Sequence, residues 1–419
     1  MRIKSLLIAI MLLCVTAASA APFKNVERIL TQPDGTKLYC FASGDEFYNR
    51  LHDADGFTIV QAENGYFVYA TADSKGAIMA TNHIAGKADP KALGLKPNIV
   101  ISQEEYQRKR DLMKAPAVGD AKNLNHGVYN NIVIFIKFKG DGDFNTTKTE
   151  IDSMFNYNGY YDISMNNYFA KATYNQLSMM SYCYPIADGD RLLAYEDIYE
   201  RDYYRPYNET TNPIGYLEEE RADREFALLK RAVDYIADEV PADLDIDRDN
   251  DGNVDNVVFV VKGNVGDWSD LLWPHMWSLY GEDAYINGKK VYTFNFQLET
   301  SSYFSVSTLC HEMSHSLGFP DLYHYYGGTN LSPAGPWDLM CGNAHPPQHS
   351  GTYMKYKYGT WIEKIPEIGY GTYTIEANSW EGGRRNCYKI PSSHPDQYYL
   401  WNIETKKISS RKAFLQVVF

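Results

Sequence analysis

The residues best placed to do chemistry lie in one stretch, Cys310-His311-Glu312-Met313-Ser314-His315-Ser316-Leu317-Gly318-Phe319-Pro320-Asp321. On a helix, residues four apart share a face, so His311 and His315 can direct imidazole nitrogens at a single metal ion. Glu312 projects from the neighbouring part of that face, within reach of water at the metal without being a ligand. Hydrolysis needs these parts: a zinc ion to polarise a carbonyl and acidify water, and a carboxylate to take the proton. Gly318 ends the helix, because glycine tolerates the left-handed conformation at a helix C-terminus. The chain can then turn back, offer Asp321 as a third ligand and leave a fourth position open. His324 is the rival third ligand, and His345 and His349 are rivals by residue type.

Such a site needs a framework of elements to hold it. Asn131-Ile132-Val133-Ile134-Phe135-Ile136-Lys137-Phe138 is a nearly continuous apolar run, the pattern of a buried central strand. A helix is expected at 164–172 and a strand at 177–184. The clearest helix lies within 217–240, where Phe226, Leu229, Val233, Ile236 and Val240 recur at three- and four-residue spacing. Glu218, Glu219 and Glu220 suit its positive end, and Pro241 stops it. A buried strand at 257–261 and an alternating run at 292–296 precede the metal helix. Between them, His275 reads as a structural or cleft-wall histidine. Tyr353, His345 and Tyr323 are open candidates for stabilising an oxyanion.

The extended metal pattern, then Asp321-Leu322-Tyr323, then Gly335-Pro336-Trp337-Asp338-Leu339-Met340, resembles the immune inhibitor A family of secreted bacterial zinc metallopeptidases. That family is related to the metzincins, which run a methionine-containing turn beneath the metal. The resemblance covers most of the chain, to about Ile403. It implies that His311, His315 and Asp321 bind zinc, that Glu312 is the catalytic acid/base, and that Met340 is the turn methionine. The Met-x-Tyr pattern of some metzincins is absent, since position 342 is Gly. The implied fold is α/β (α+β): a metzincin-like catalytic domain with a twisted, mostly parallel sheet and an active-site helix, preceded by a small β-rich pro-domain. The implied activity is endoproteolysis of extracellular polypeptides, with an edge strand near 273–296 pairing with extended substrate. Two alternatives stand beside it: a calcium-dependent adhesion or binding protein on a peptidase scaffold, and a narrow-specificity peptidase acting on glycoproteins such as mucins. The intact Glu312 argues against lost turnover.

Asp247-Arg248-Asp249-Asn250-Asp251-Gly252-Asn253-Val254-Asp255 sets oxygens at alternate positions with a glycine at the sharp turn. This matches the first nine positions of a calcium loop. The twelfth position is Val258, where an EF-hand needs a bidentate Glu, so the stretch is no EF-hand. It resembles the short calcium loop that enters a strand in the same family, with Asp247, Asp249, Asp251, Asn253 and Asp255 as candidate ligands. An acidic loop without an ion is the alternative.

At 419 residues the chain has room for two or three domains. Its formal net charge of −13 argues against a nucleic-acid partner. Residues 1–20 read as a secretory signal: Arg2 and Lys4, an apolar core, then Ala18-Ser19-Ala20. That core is too short to span a bilayer. A secreted or periplasmic monomer is expected. Residues 21–126 read as pro-region and linker, cleavable near Gln107-Arg108-Lys109-Arg110. Residues 127–367 read as the catalytic domain and 368–419 as a β-rich C-terminal part that departs from the family pattern and looks incomplete. Cys14 leaves with the signal; Cys310 and Cys341 either pair as a disulfide or stay as buried thiols. The pro-region is expected to silence the peptidase by occluding its cleft, with or without a carboxylate from the 44–46 or 53–55 turns, or through a Cys40 thiolate.

Overall fold

The computed structural model describes residues 23–45, 47–73, 76–112, 125–159, 163–264, 269, 271–299, 304–323, 334–373, 377–378, 387–394, 397–407 and 410–418. The signal-like stretch 1–20, Glu46 and His324 lie outside them. The protein is a mixed α/β structure.

The first unit is an antiparallel meander of β1 (Phe23–Thr31), β2 (Lys37–Gly44), β3 (Asn49–His52), β4 (Thr58–Gln61), β5 (Phe67–Ala72) and β6 (Ile78–Ile84), paired in chain order. Alternation sets its buried face: Leu38, Cys40 and Ala42 on β2 pack with Leu51, Ile59, Phe67 and Tyr69. The Gln32-Pro33-Asp34-Gly35 turn closes as the sequence indicates, with the Gly35 amide donating to the Gln32 carbonyl at 2.8 Å.

Residues 103–112, expected as linker, instead form α1 (Gln103–Leu112). Ser102 accepts from the Glu105 amide at 3.1 Å, and Glu105 pairs with Arg108 one turn on. Among its described side chains Tyr106 alone is buried and holds the helix down, which is why no apolar periodicity announced it. Arg108 and Lys109 both reach Glu218. The basic residues expected to be easily cut are thus engaged in a helix.

The next sheet has the order β12-β15-β11-β7-β8, with β9 on β7. Its strands are β7 (Gly127–Lys137), β8 (Leu177–Tyr184), β9 (Tyr195–Glu196), β11 (Val257–Val261), β12 (His275–Ser278) and β15 (Thr293–Leu298). Parallel pairing joins β15, β11, β7, β8 and β9; β12 alone is antiparallel, on β15. Short strands β10 (Asn253–Val254), β13 (Tyr285–Ile286) and β14 (Lys289–Val291) form a separate sheet.

Two cores sandwich the large sheet, and period-2 alternation divides its residues between them. Ile132, Ile134, Val257, Phe259, Phe294 and Phe296 face α4 (Arg221–Ile236). Val133, Phe135, Val258 and Val260 face the other way, packing with residues of α2 (Lys148–Phe155), α3 (Met165–Ala172), α5 (Val306–Ser316) and α6 (Thr352–Lys357). A C-terminal sheet pairs β18 (Tyr398–Lys407) with β16 (Ala377–Asn378), β17 (Cys387–Pro391) and β19 (Ser410–Val418). Cys310 and Cys341 are both buried free thiols, and the Cys341 thiol donates to the Leu322 carbonyl at 3.2 Å. The disulfide alternative is therefore not realised. Among the described residues, no helix is long and apolar enough to cross a membrane.

Candidate metal centre

Helix α5 carries the motif, and its sequence explains its limits. Ser305 caps the start, accepting from the Thr308 amide at 3.2 Å. Val306, Leu309, Cys310 and Met313 recur at helical spacing and enter the core beneath the sheet. At the far end, Gly318 has φ +89°. Its amide donates to the His315 carbonyl at 2.8 Å while the Phe319 amide donates to Ser314 at 3.0 Å, the paired bonds of a Schellman ending. The chain then reverses and brings Asp321 back to the helix.

The tautomer of both histidines follows from their partners. His311 Nδ1 donates to the Leu339 carbonyl at 3.0 Å, and His315 Nδ1 donates to the Phe319 carbonyl at 2.8 Å. A carbonyl only accepts, so each Nδ1 carries the proton and each Nε2 presents a lone pair. Those two Nε2 atoms face one another at 3.1 Å. Asp321 Oδ1 lies 3.1 Å from His311 Nε2, and its Oδ2 lies 3.4 Å from His315 Nε2. Three lone-pair donors converging this closely fit a cation between them. Tetrahedral zinc with ligands at about 2.0–2.1 Å sets neighbouring ligand atoms roughly 3.3 Å apart. The observed separations fit that group.

Glu312 is buried, and burial pushes its carboxyl above the usual range. It does not join the tight group of His311, His315 and Asp321. Met340 is fully buried in the turn below. Leu339 of the same turn supplies the carbonyl that orients His311. Asp338 shapes this turn: Oδ1 accepts from the Met340 amide at 2.8 Å and Oδ2 from the Gly351 amide at 2.5 Å. Its burial raises its pKa to about 6.

The other histidines sit elsewhere. His275 is buried on the α4 face of the sheet, with Nε2 2.8 Å from Glu225 Oε1 and Nδ1 2.6 Å from the Trp273 carbonyl. His349 is buried against Tyr168 and Lys355, where desolvation holds its pKa below the ordinary value. His345 is exposed, Tyr323 packs beside Ala334 and Cys341, and Tyr353 sits where two apolar clusters meet.

In the acidic loop, Asp247, Asp249 and Asp251 converge as a second group able to hold a cation. Asn253 is turned onto Asp251 Oδ2 at 3.0 Å, and Asp255 Oδ1 accepts from the Arg248 amide at 3.2 Å. Lys289 reaches Asp247 at 2.6 Å. Sequence reasoning missed Asp338 and a set of buried amides behind α5, Asn131, Asn256 and Asn295. The signal available for the amides was Asn at the edge of an apolar run, as in Asn131-Ile132 and Asn256-Val257, or within one, as in Phe294-Asn295-Phe296.

Residues 247–363 match the family model described as the immune inhibitor A peptidase M6 catalytic domain. The matched stretch holds the acidic loop, α5 and the methionine turn. No curated protein matches the chain.

Proposed function

We propose, from the premise that residues 247–363 form an immune inhibitor A-type peptidase domain, that this chain is a secreted zinc endopeptidase with a metzincin-like catalytic domain. The observation that carries the metal assignment is the pair of carbonyl-locked histidines whose Nε2 lone pairs meet Asp321 at ligand spacing. When bound, zinc supplies the Lewis acid that polarises the scissile carbonyl and makes water acidic near neutral pH. Glu312, beside these ligands and desolvated, takes the proton from water and hands it to the leaving amine. The Met340 turn orients His311 from below through the Leu339 carbonyl. Strand β12, antiparallel and paired only with β15 among the described residues, offers an edge on which an extended polypeptide can add as a further strand. Casein or gelatin clearing tests the activity: clearing abolished by chelator and restored by zinc supports the reading. Tight substrate binding without cleavage would favour the adhesion alternative.

The loop Asp247–Asp255 is the proposed calcium site, with Asp247, Asp249 and Asp251 as side-chain ligands, Asn253 contributing its carbonyl and Asp255 acting at the second rank. The N-terminal sheet is the proposed inhibitory unit. It docks on the catalytic part: Asn208 donates to the Ala62 carbonyl at 3.0 Å, Thr210 to the Glu63 carbonyl at 3.0 Å, and Val26 packs against the core around α4. Asp45, following β2, is buried and held by the Tyr106 hydroxyl at 2.7 Å. Burial pushes its carboxyl up to about 6, and the Asp321 charge acts on it in the same direction. Of the two candidate turns, the one with Asp45 is therefore assigned as the source of the carboxylate guarding the centre. Cys40 lies in the core of its own sheet with its thiol pushed up to about 12 by burial, which disfavours a thiolate.

A further inference from the structure

The apolar contacts of α5 press it onto the sheet but are non-directional, so they do not by themselves fix how far it slides or rotates. Behind the helix lies a closed ring of hydrogen bonds that does. Ser316 Oγ donates to Asn256 Oδ1 at 3.0 Å, Asn256 Nδ2 donates to Asn295 Oδ1 at 3.1 Å, and Asn295 Nδ2 donates to Ser316 Oγ at 3.2 Å. The ring is anchored on both sides. Asn295 Nδ2 also donates to the Glu312 backbone carbonyl at 3.1 Å. Asn256 Nδ2 also donates to Asn131 Oδ1 at 2.9 Å, and Asn131 Nδ2 to Ser181 Oγ at 3.2 Å. The path thus runs from β8 through β7, the residue just before β11 and β15 to the helix that carries the metal motif.

The three asparagines are buried to within 1% exposure, where an unpaired amide costs roughly 1–3 kcal/mol. Every one of their side-chain oxygens and nitrogens has a partner, so the network is satisfied and its donor directions are unambiguous. Phe294 and Phe296 flank Asn295 in sequence, and Ile132 and Val257 follow Asn131 and Asn256, so these amides stand beside fully buried apolar residues. We propose that this ring is a positioning device: it sets the axial and rotational placement of α5, and through it the placement of Glu312 and His315 at the metal. Asn295 also sits on the strand that pairs with the β12 edge, so the same bonds tie the substrate-side strand to the catalytic helix.

The proposal rests on Glu312 acting as the base, and the test separates the two. Full-length Asn295→Ala, Ser316→Ala and Ser316→Thr are compared with wild type and Glu312→Ala, before and after limited trypsin treatment. Asn295→Ala and Ser316→Ala should keep metal and KM but lose at least about tenfold in kcat, as a displaced catalytic group does. Ser316→Thr, which keeps the hydroxyl, should recover most of that rate. The visible spectrum of the cobalt-substituted protein should also shift in the two alanine variants, a readout independent of turnover. Wild-type kcat and an unshifted cobalt spectrum, with only a lowered Tm, would make the ring ordinary core and overturn the proposal. Ser316 is only half-buried, so Ser316→Ala decides the matter if Asn295→Ala fails to fold. Turnover surviving in Glu312→Ala would sink the base assignment, while the cobalt spectra would still judge the ring.

Discussion

Two backbone carbonyls decide the state of the candidate metal site, because Leu339 and Phe319 each hold an imidazole Nδ1–H and so leave both Nε2 lone pairs able to bind a cation. The same accounting turns up buried polar atoms with no such partner, those of Gln297 among them. Gln297 is fully buried on the α5 side of β15, two positions from Asn295, and neither its amide oxygen nor its amide nitrogen is paired. Gln297→Leu should therefore raise the melting temperature, by relief of an unpaired buried amide worth about 1–3 kcal/mol. Asn295→Leu should lower it. A thermal melt of both variants checks this; a stabilised Asn295→Leu would show that the ring contributes nothing. His311, Glu312, His315 and Asp321 were legible because local spacing alone brings them together. Asp338, Asn256 and Asn295 were not, because their distant partners lie from 13 to 125 positions away and only the fold reveals them.

Among elements, the turn that ends α5 decides whether Asp321 arrives. A Cβ on Gly318 would meet nothing within 4 Å, so substitution costs only the left-handed backbone, about 1–2 kcal/mol. Gly318→Ala should lower the Tm and weaken zinc binding together, and Gly318→Asn should do so less. Zinc affinity unchanged despite the lower Tm would detach the turn from the ligand set. The acidic loop before β11 makes a separate prediction. Calcium at about a hundred times its dissociation constant should stabilise the fold by about 2.7 kcal/mol, and Asp249→Asn should diminish that gain. A melting curve indifferent to calcium and chelator leaves only an acidic loop braced by Lys289. The central strands and α4 were legible from apolar runs and helical periodicity. Helix α1 was not, since a surface helix with one buried anchor writes no stripe into the sequence.

At the scale of the whole molecule, the N-terminal sheet with α1 is bound to the large sandwich by hydrogen bonds between 61–63 and 208–211, by the Glu218 ion pairs and by Val26. The intact chain should be silent, and trypsin should release its activity. Because Arg108 and Lys109 lie in α1, the releasing cut should fall after Leu112 rather than at the basic run; N-terminal sequencing of the product locates it. Asp45→Ala should leave the chain folded and partly active before any cut. Full activity of the uncut wild-type chain would show that this unit does not inhibit.

The central claim is that three side chains hold zinc and a fourth moves the proton. Metal content per chain, measured alongside turnover for wild type, Asp321→Ala and Glu312→Ala, tests it most directly. The account predicts about one zinc in wild type and in Glu312→Ala, with turnover nearly abolished in the latter, and loss of zinc in Asp321→Ala. Zinc retained in Asp321→Ala, or lost from Glu312→Ala, would contradict it.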